Sequence, residues 1–175
     1  MIWALVAAAL LVVVWSVATA NSFRKKDIKV QESLSGVEVA LLKRYDLLTK
    51  QSQVAGSYAD HEAAVFREVI SLRKGMSLPE LQRAEGAMDQ LAHAISLTAE
   101  GYPELRSSQV FVELQRGIRD AEEHLQAARR LYNSCVSDYN TAITVFPARL
   151  LTGGRQPQPF FEVEAGKTED VDLKL

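Results

Sequence analysis

A single cysteine in 175 residues excludes an internal disulfide framework and any zinc or iron–sulfur site built from several thiolates. Five prolines and nine glycines are too few for a loop-rich β protein or a disordered chain. There is no excess of either charge: 20 Lys+Arg face 22 Asp+Glu, a formal net charge of −2, which excludes a globally basic nucleic-acid binder. The chain has no Walker A or GxGxxG loop and no His-Glu-x-x-His. A di-iron bundle needs Glu-x-x-His pairs on two helices, but Tyr58, Gln90 and Ala121 stand three residues before His61, His93 and His124. No alternating strand pattern of useful length appears. Asp60, His61 and Glu62 are consecutive, so on a helix they point about 100° apart and cannot converge on one ion. No metal or cofactor is expected.

What is present is apolar sequence, unevenly spread. Met1 to Ala20 reads MIWALVAAALLVVVWSVATA, without a charge. Twenty helical residues span about 30 Å, the thickness of a bilayer's hydrocarbon core. Trp3 and Trp15 lie toward its two ends, where amphipathic rings settle at the interfaces. Ala18-Thr19-Ala20 resembles a signal-peptidase site, but no cation precedes the run and it is longer than a signal core. An uncleaved anchor over residues 1–20 is therefore expected. Arg24, Lys25, Lys26 and Lys29 follow it. Their charge predicts a single-pass topology with the N-terminus outside and the body in the cytoplasm. Each adds about 1 kcal/mol of attraction to anionic headgroups, which supports orientation more than recognition of a particular lipid.

Residues 21–152 read as three helical stretches. The first, 22–74, contains no proline and carries an apolar seam at Val30, Leu34, Val37, Leu41, Leu48, Ala55, Ala59, Phe66 and Val69, with Arg44, Gln51 and Glu62 in the same stripe. Its length leaves open a kink or split near Thr49 or Gly56. The second begins at a capping box, Ser77 with Glu80, with Pro79 in its first turn. It presents Leu81, Met88, Leu91 and Ile95, and stops at Gly101-Tyr102-Pro103. The third starts at Ser107 or Ser108 and ends before Pro147. Its seam is Phe111, Leu114, Ile118, Ala121, Leu125, Ala128, Tyr132, Cys135, Tyr139, Ala142 and Phe146.

No such stripe is stable facing water alone. The pattern predicts an all-α protein: an N-terminal transmembrane helix, then an antiparallel up-and-down bundle of three long helices, or four if the first is split. The third seam also fits an intermolecular coiled coil; the intrachain bundle is preferred because two other stripes are available. Residues 153–175 form an extended, acidic tail opening with Gly153-Gly154. Whether Phe160-Phe161 docks or frays is open at this stage.

An unpaired charge at the seam is costly, so Arg44 is expected to meet a carboxylate from another helix. Glu62 lies eighteen residues further on, roughly 27 Å along a straight helix, and needs its own partner. Arg129, Asn133 and Asn140 complete the candidate polar layer. Cys135 reads as a small buried hydrophobe, because no base or glycine elbow accompanies it.

Several blocks resemble the LemA family. Glu38 to Leu47 (EVALLKRYDL) is similar to its central signature, and Tyr58 to Glu62 with Val65-Phe66 to its next block. Tyr102 to Leu105, Ala128 to Arg130 with Tyr132-Asn133, Tyr139-Asn140, Phe146-Pro147 and Pro159 to Glu162 match later blocks in order. The chain departs from the pattern at Leu48-Thr49-Lys50, where the family commonly has proline. The resemblance implies a bacterial membrane-anchored helical bundle with no assigned enzymatic activity. One branch of the family resembles a magnetosome-formation protein, which implies a role in envelope or membrane organisation. The expected function is thus a non-enzymatic membrane protein acting as an adaptor or scaffold, through a protein partner or self-association. The alternative is a small-ligand or lipid-sensing module at the polar layer.

Overall fold

The computed structural model describes residues 1–58 and 75–162. The expectations for Ala59, His61, Glu62, Phe66 and Val69, and for the acidic tail beyond Glu162, fall outside the described residues. The described chain is helical, with no strand among the described residues. It comprises α1 (Ile2–Gly56), α2 (Leu78–Gly101), the short α3 (Pro103–Ser107), α4 (Gln109–Thr144) and a 3-10 turn at Ala148–Leu151.

α1 begins in the apolar segment and runs without a break past Asn21 and Ser22 to Gly56. From Ile2 to Ser22 no residue is buried; Phe23 is the first, at 1% exposure. Burial then recurs at Val30, Val37, Leu41, Arg44, Leu48, Gln51 and Ala55, the 3-and-4 spacing of one helical face. At Ser57 and Tyr58 the chain turns on bonds back to Val54 and Ala55, so the first stretch ends as a helix at Gly56 and does not run on unbroken to residue 74.

α2 opens as the sequence implies. The Glu80 carboxylate accepts hydrogen bonds from the Ser77 N–H and hydroxyl, both at 2.7 Å, which secures donors that the first helical turn leaves unpaired. α4 is capped by Ser108, whose hydroxyl accepts from the Phe111 N–H at 3.2 Å. Val145 extends α4's bonding pattern to Thr141, and Pro147, joined to Phe146 by a cis peptide, follows.

The chain divides into two compact units: Met1–Ser35 with Arg129–Phe160, and Gly36–Ala128 with the chain from Phe161 on. In the second unit, Arg44 of α1 meets Asp89 of α2 and Glu122 of α4. Seven residues later, Gln51 shares a groove with Ile95 of α2 and Ile118 of α4, and Leu47 lies against Gly117. Advancing along α1 thus advances along α2 and retreats along α4. Within this unit α1 and α2 run the same way and α4 runs opposite. The core includes Leu41, Leu48, Leu81, Met88, Ile95, Leu105, Phe111 and Leu125.

In the first unit the interior is Phe23, Val30, Tyr132, Val136, Tyr139 and Ile143. Val136 and Ile143 lie one position beyond the expected Cys135 and Ala142, both half-buried. Phe146, expected in the seam, is 76% exposed. The seam closes at Ile143 because α4 ends one residue later. The chain then reverses at Gly153 and Gly154, with φ of 57° and 81°, and the Arg155 N–H bonds back to the Thr152 carbonyl. Two successive positive φ values at the centre of a turn strain any residue with a Cβ, and glycine removes that cost.

Candidate functional site

Arg44 is the centre of the second unit's polar layer. It occupies a seam position that α1's apolar stripe carries inward, and only 6% of its side chain is exposed. Its Nη2 donates to Asp89 Oδ1 at 2.6 Å, and its Nε lies 3.1 Å from Glu122 Oε2. Nη1 is buried without a hydrogen-bond partner among the described residues. Two carboxylates, each about a quarter to a third exposed, thus clamp one buried cation from two other helices. Such an arrangement orients helices.

The sequence foresaw an inter-helix carboxylate but not these two. Asp89 and Glu122 each lie one position beyond an inner apolar residue, Met88 and Ala121. Charged residues flanking a stripe are ordinary on any amphipathic helix, so only the register between helices marks them. Glu85, one helical turn before Asp89 and 7% exposed, was missed for the same reason. Below Arg44, about 10 Å along α1, an open groove of about 190 Å³ is lined by Gln51, Ile95, Gln115, Ile118 and Arg119, among others. Among the described residues no group of three or more His, Cys, Asp or Glu is placed to hold a metal ion.

The other candidates have different surroundings. Arg129 and Asn133 are half-buried on α4, each with an interaction of its own. Asn140 grips the tail: its Nδ2 donates to the Gln158 carbonyl at 2.9 Å and its Oδ1 accepts the Gln158 N–H at 2.8 Å. The Tyr132 hydroxyl donates to the Pro159 carbonyl at 2.9 Å. The tail through Phe160 is therefore docked along α4, and Phe161, in the other unit, is 2% exposed. Burial pushes the Tyr132 hydroxyl's pKa up. For Tyr139 burial does the same, the Asp27 carboxylate adds to it and Arg155 opposes it.

The basic cluster follows the apolar segment directly. Arg24 pairs with Asp27 at 3.3 Å in an exposed contact, and Lys25 and Lys29 face solvent while Lys26 is half-buried. The Arg155 guanidinium stacks on the Phe23 ring, 5.4 Å from its centroid. The segment before the cluster is long and apolar enough to cross a membrane, and none of it is covered by protein.

The LemA family model matches residues 33–175. The chain belongs to the LemA family. It is similar to Protein LemA of Metamycoplasma hominis, 21% identical over 131 residues that cover 72% of this chain and 60% of that protein. It is also similar to Magnetosome protein MamQ of Magnetospirillum gryphiswaldense, 26% identical over 95 residues that cover 53% of this chain and 35% of that one. The chain spans less than two thirds of the length of either relative. A LemA-family chain carrying an exposed apolar helix at its N-terminus fits a membrane protein.

Proposed function

We propose that this LemA-family protein is a non-enzymatic, single-pass membrane scaffold, in which the helical body presents partners at a bilayer surface. The observation that carries the reading is the continuity of α1. One helix is wholly uncovered over its first twenty residues and then buries a regular stripe from Phe23 onward. The polar layer fits the same role, since Arg44 is engaged by structural carboxylates. The outer face of α4 in the second unit, with Arg116, Arg119 and Glu123 exposed, offers a charged surface for a protein partner or a second copy. The relative named for the magnetosome supports a role in organising a membrane compartment.

By the positive-inside tendency the body lies in the cytoplasm and the N-terminus outside. With Cys135→Ser as background, Ser137→Cys on the exposed side of α4 resists an impermeant maleimide in intact cells and reacts after lysis. Labelling of intact cells reverses the orientation. A photocrosslinker at Arg116 or Glu123 in native membranes captures a reproducible protein partner, and charge reversal of that face abolishes the capture. Crosslinking unaffected by charge reversal contradicts the scaffold surface.

The groove beneath Arg44 favours a second reading, a small-ligand or lipid-sensing module, because it places Gln51 and Arg119 beside apolar walls. A molecule that co-purifies and is lost on Gln51→Leu supports sensing over scaffolding.

A further inference from the structure

The end of α4 carries a feature that the bundle does not use. Val145, Phe146 and Leu150 are 53%, 76% and 73% exposed, although residues 145–151 are internally ordered: the Arg149 N–H bonds to the Val145 carbonyl at 2.9 Å, and the Leu150 N–H to the Pro147 carbonyl at 3.1 Å. This is a held turn that displays three large apolar side chains with Arg149 among them. Its position in the first unit follows from neighbouring contacts. The Asp27 carboxylate and the Arg155 guanidinium both act on the Tyr139 hydroxyl, and Arg155 stacks on Phe23. The tail residues that Asn140 and Tyr132 hold run back along α4. Moving toward the C-terminus of α4 therefore moves toward the N-terminus of α1. Phe146 lies seven residues beyond Tyr139, and Ala20 lies seven residues before Asp27. Ala20 is thus about 10 Å along α1 from Asp27, and Thr144, the last residue of α4, is about 8 Å along α4 from Tyr139; the turn that follows α4 therefore begins near the level where α1 leaves its apolar segment.

We propose that Val145, Phe146 and Leu150 form a second membrane contact, seated in the headgroup region of an anionic bilayer beside the point where α1 emerges. The inference rests on the reading of residues 2–20 as the membrane span. Its occupant follows from continuity with that span and from charge: Arg149 lies within the turn, and Lys25 and Lys29 within nine residues of the apolar segment, all three exposed in the same unit, the pattern of an interfacial element whose apolar side chains enter the boundary while cations meet lipid phosphates. The anchor holds the turn at the surface already, so three side chains suffice where a free peptide of this size would not bind. The contact would fix the body against the membrane through two points.

The full chain, with Cys135→Ser, is reconstituted in vesicles of phosphatidylcholine and phosphatidylglycerol and labelled with an environment-sensitive fluorophore at Leu150→Cys or, as control, Ser137→Cys. The label at 150 is expected to shift to the blue and to be quenched by lipid spin-labelled near the headgroup, while the label at 137 behaves as in water. Adding Val145→Ser and Phe146→Ser abolishes the shift at 150 and leaves thermal unfolding unchanged. Flotation with the vesicles but a water-like label at 150 overturns the contact while leaving the anchor intact; failure to float overturns the anchor itself. A blue shift that persists in detergent and grows with protein concentration assigns the patch to a second copy and also overturns the proposal.

Discussion

Two stretches of the same helix behave as if in different solvents. Residues 2–20 of α1 are apolar on every side and wholly uncovered; residues 23–55 are apolar on one side, and that side is buried. A helix hydrophobic all round has no polar face to give to water, so its environment must be apolar all round. A helix with one stripe needs only a neighbour. The lesson is that covalent continuity does not make one structural unit: composition around the axis decides what surrounds each stretch, and the transition falls within a few residues, at Ser22 and Phe23.

The comparison predicts separable effects. The largest comes from charging the first stretch. Leu10→Arg with Val13→Arg adds roughly 5–7 kcal/mol to membrane insertion, so the protein leaves the membrane fraction while the body's melting temperature stays unchanged. Next comes the second stretch. Asp89→Asn with Glu122→Gln strands the buried Arg44 cation and costs about 3–5 kcal/mol of stability, read by denaturant unfolding, with membrane association unaffected. Arg44→Met is milder, about 1–3 kcal/mol, because the side chains of Asp89 and Glu122 are 31% and 26% exposed, although the buried Glu122 Oε2 loses its cation. An Arg44→Met body that loses its helical circular dichroism would show that the ion pairs are essential to the fold.

Smaller effects belong to the border where the tail returns. Asn140→Ala removes both bonds to Gln158 and costs about 1–2 kcal/mol, seen as faster proteolysis at residues 155–160 with anchor and core unchanged. The smallest is a pH effect. Tyr132 and Tyr139 have pKa values raised above the usual 10.0 in the folded state. The unfolded chain therefore loses these protons first, so their contribution holds below pH 10 and is lost as pH rises through the folded values. Tyr132→Phe flattens that alkaline fall in melting temperature.

The sequence made the helices and most of the seam legible, because each is a local periodicity, and the apolar stretch of α1 legible, because it is an unbroken uncharged run. Val30, Val37, Leu41, Leu48, Met88, Ile95, Phe111 and Leu125 are all buried as their spacing implies. Phe146 was misplaced because the stripe's period continues past Thr144 although the helix does not. The polar layer was legible only by halves. Arg44 announces itself by sitting in an apolar stripe, whereas Asp89 and Glu122 are defined by the register between helices, which no single helix encodes. Tail docking was equally hidden: Asn140 and Gln158 meet only after Gly153 and Gly154 reverse the chain, and their hydrogen bonds go to backbone, which carries no side-chain signature.

The boundary within α1 can be measured directly. In the full chain with Cys135→Ser, single spin-labelled cysteines are placed in turn from residue 4 to residue 55 in liposomes, and their accessibility to oxygen and to a water-soluble nickel complex is recorded. The account predicts high oxygen and low nickel access without periodicity through residue 20, then a 3-and-4 alternation beginning at Phe23. Alternating nickel access already present between residues 4 and 20 would contradict it.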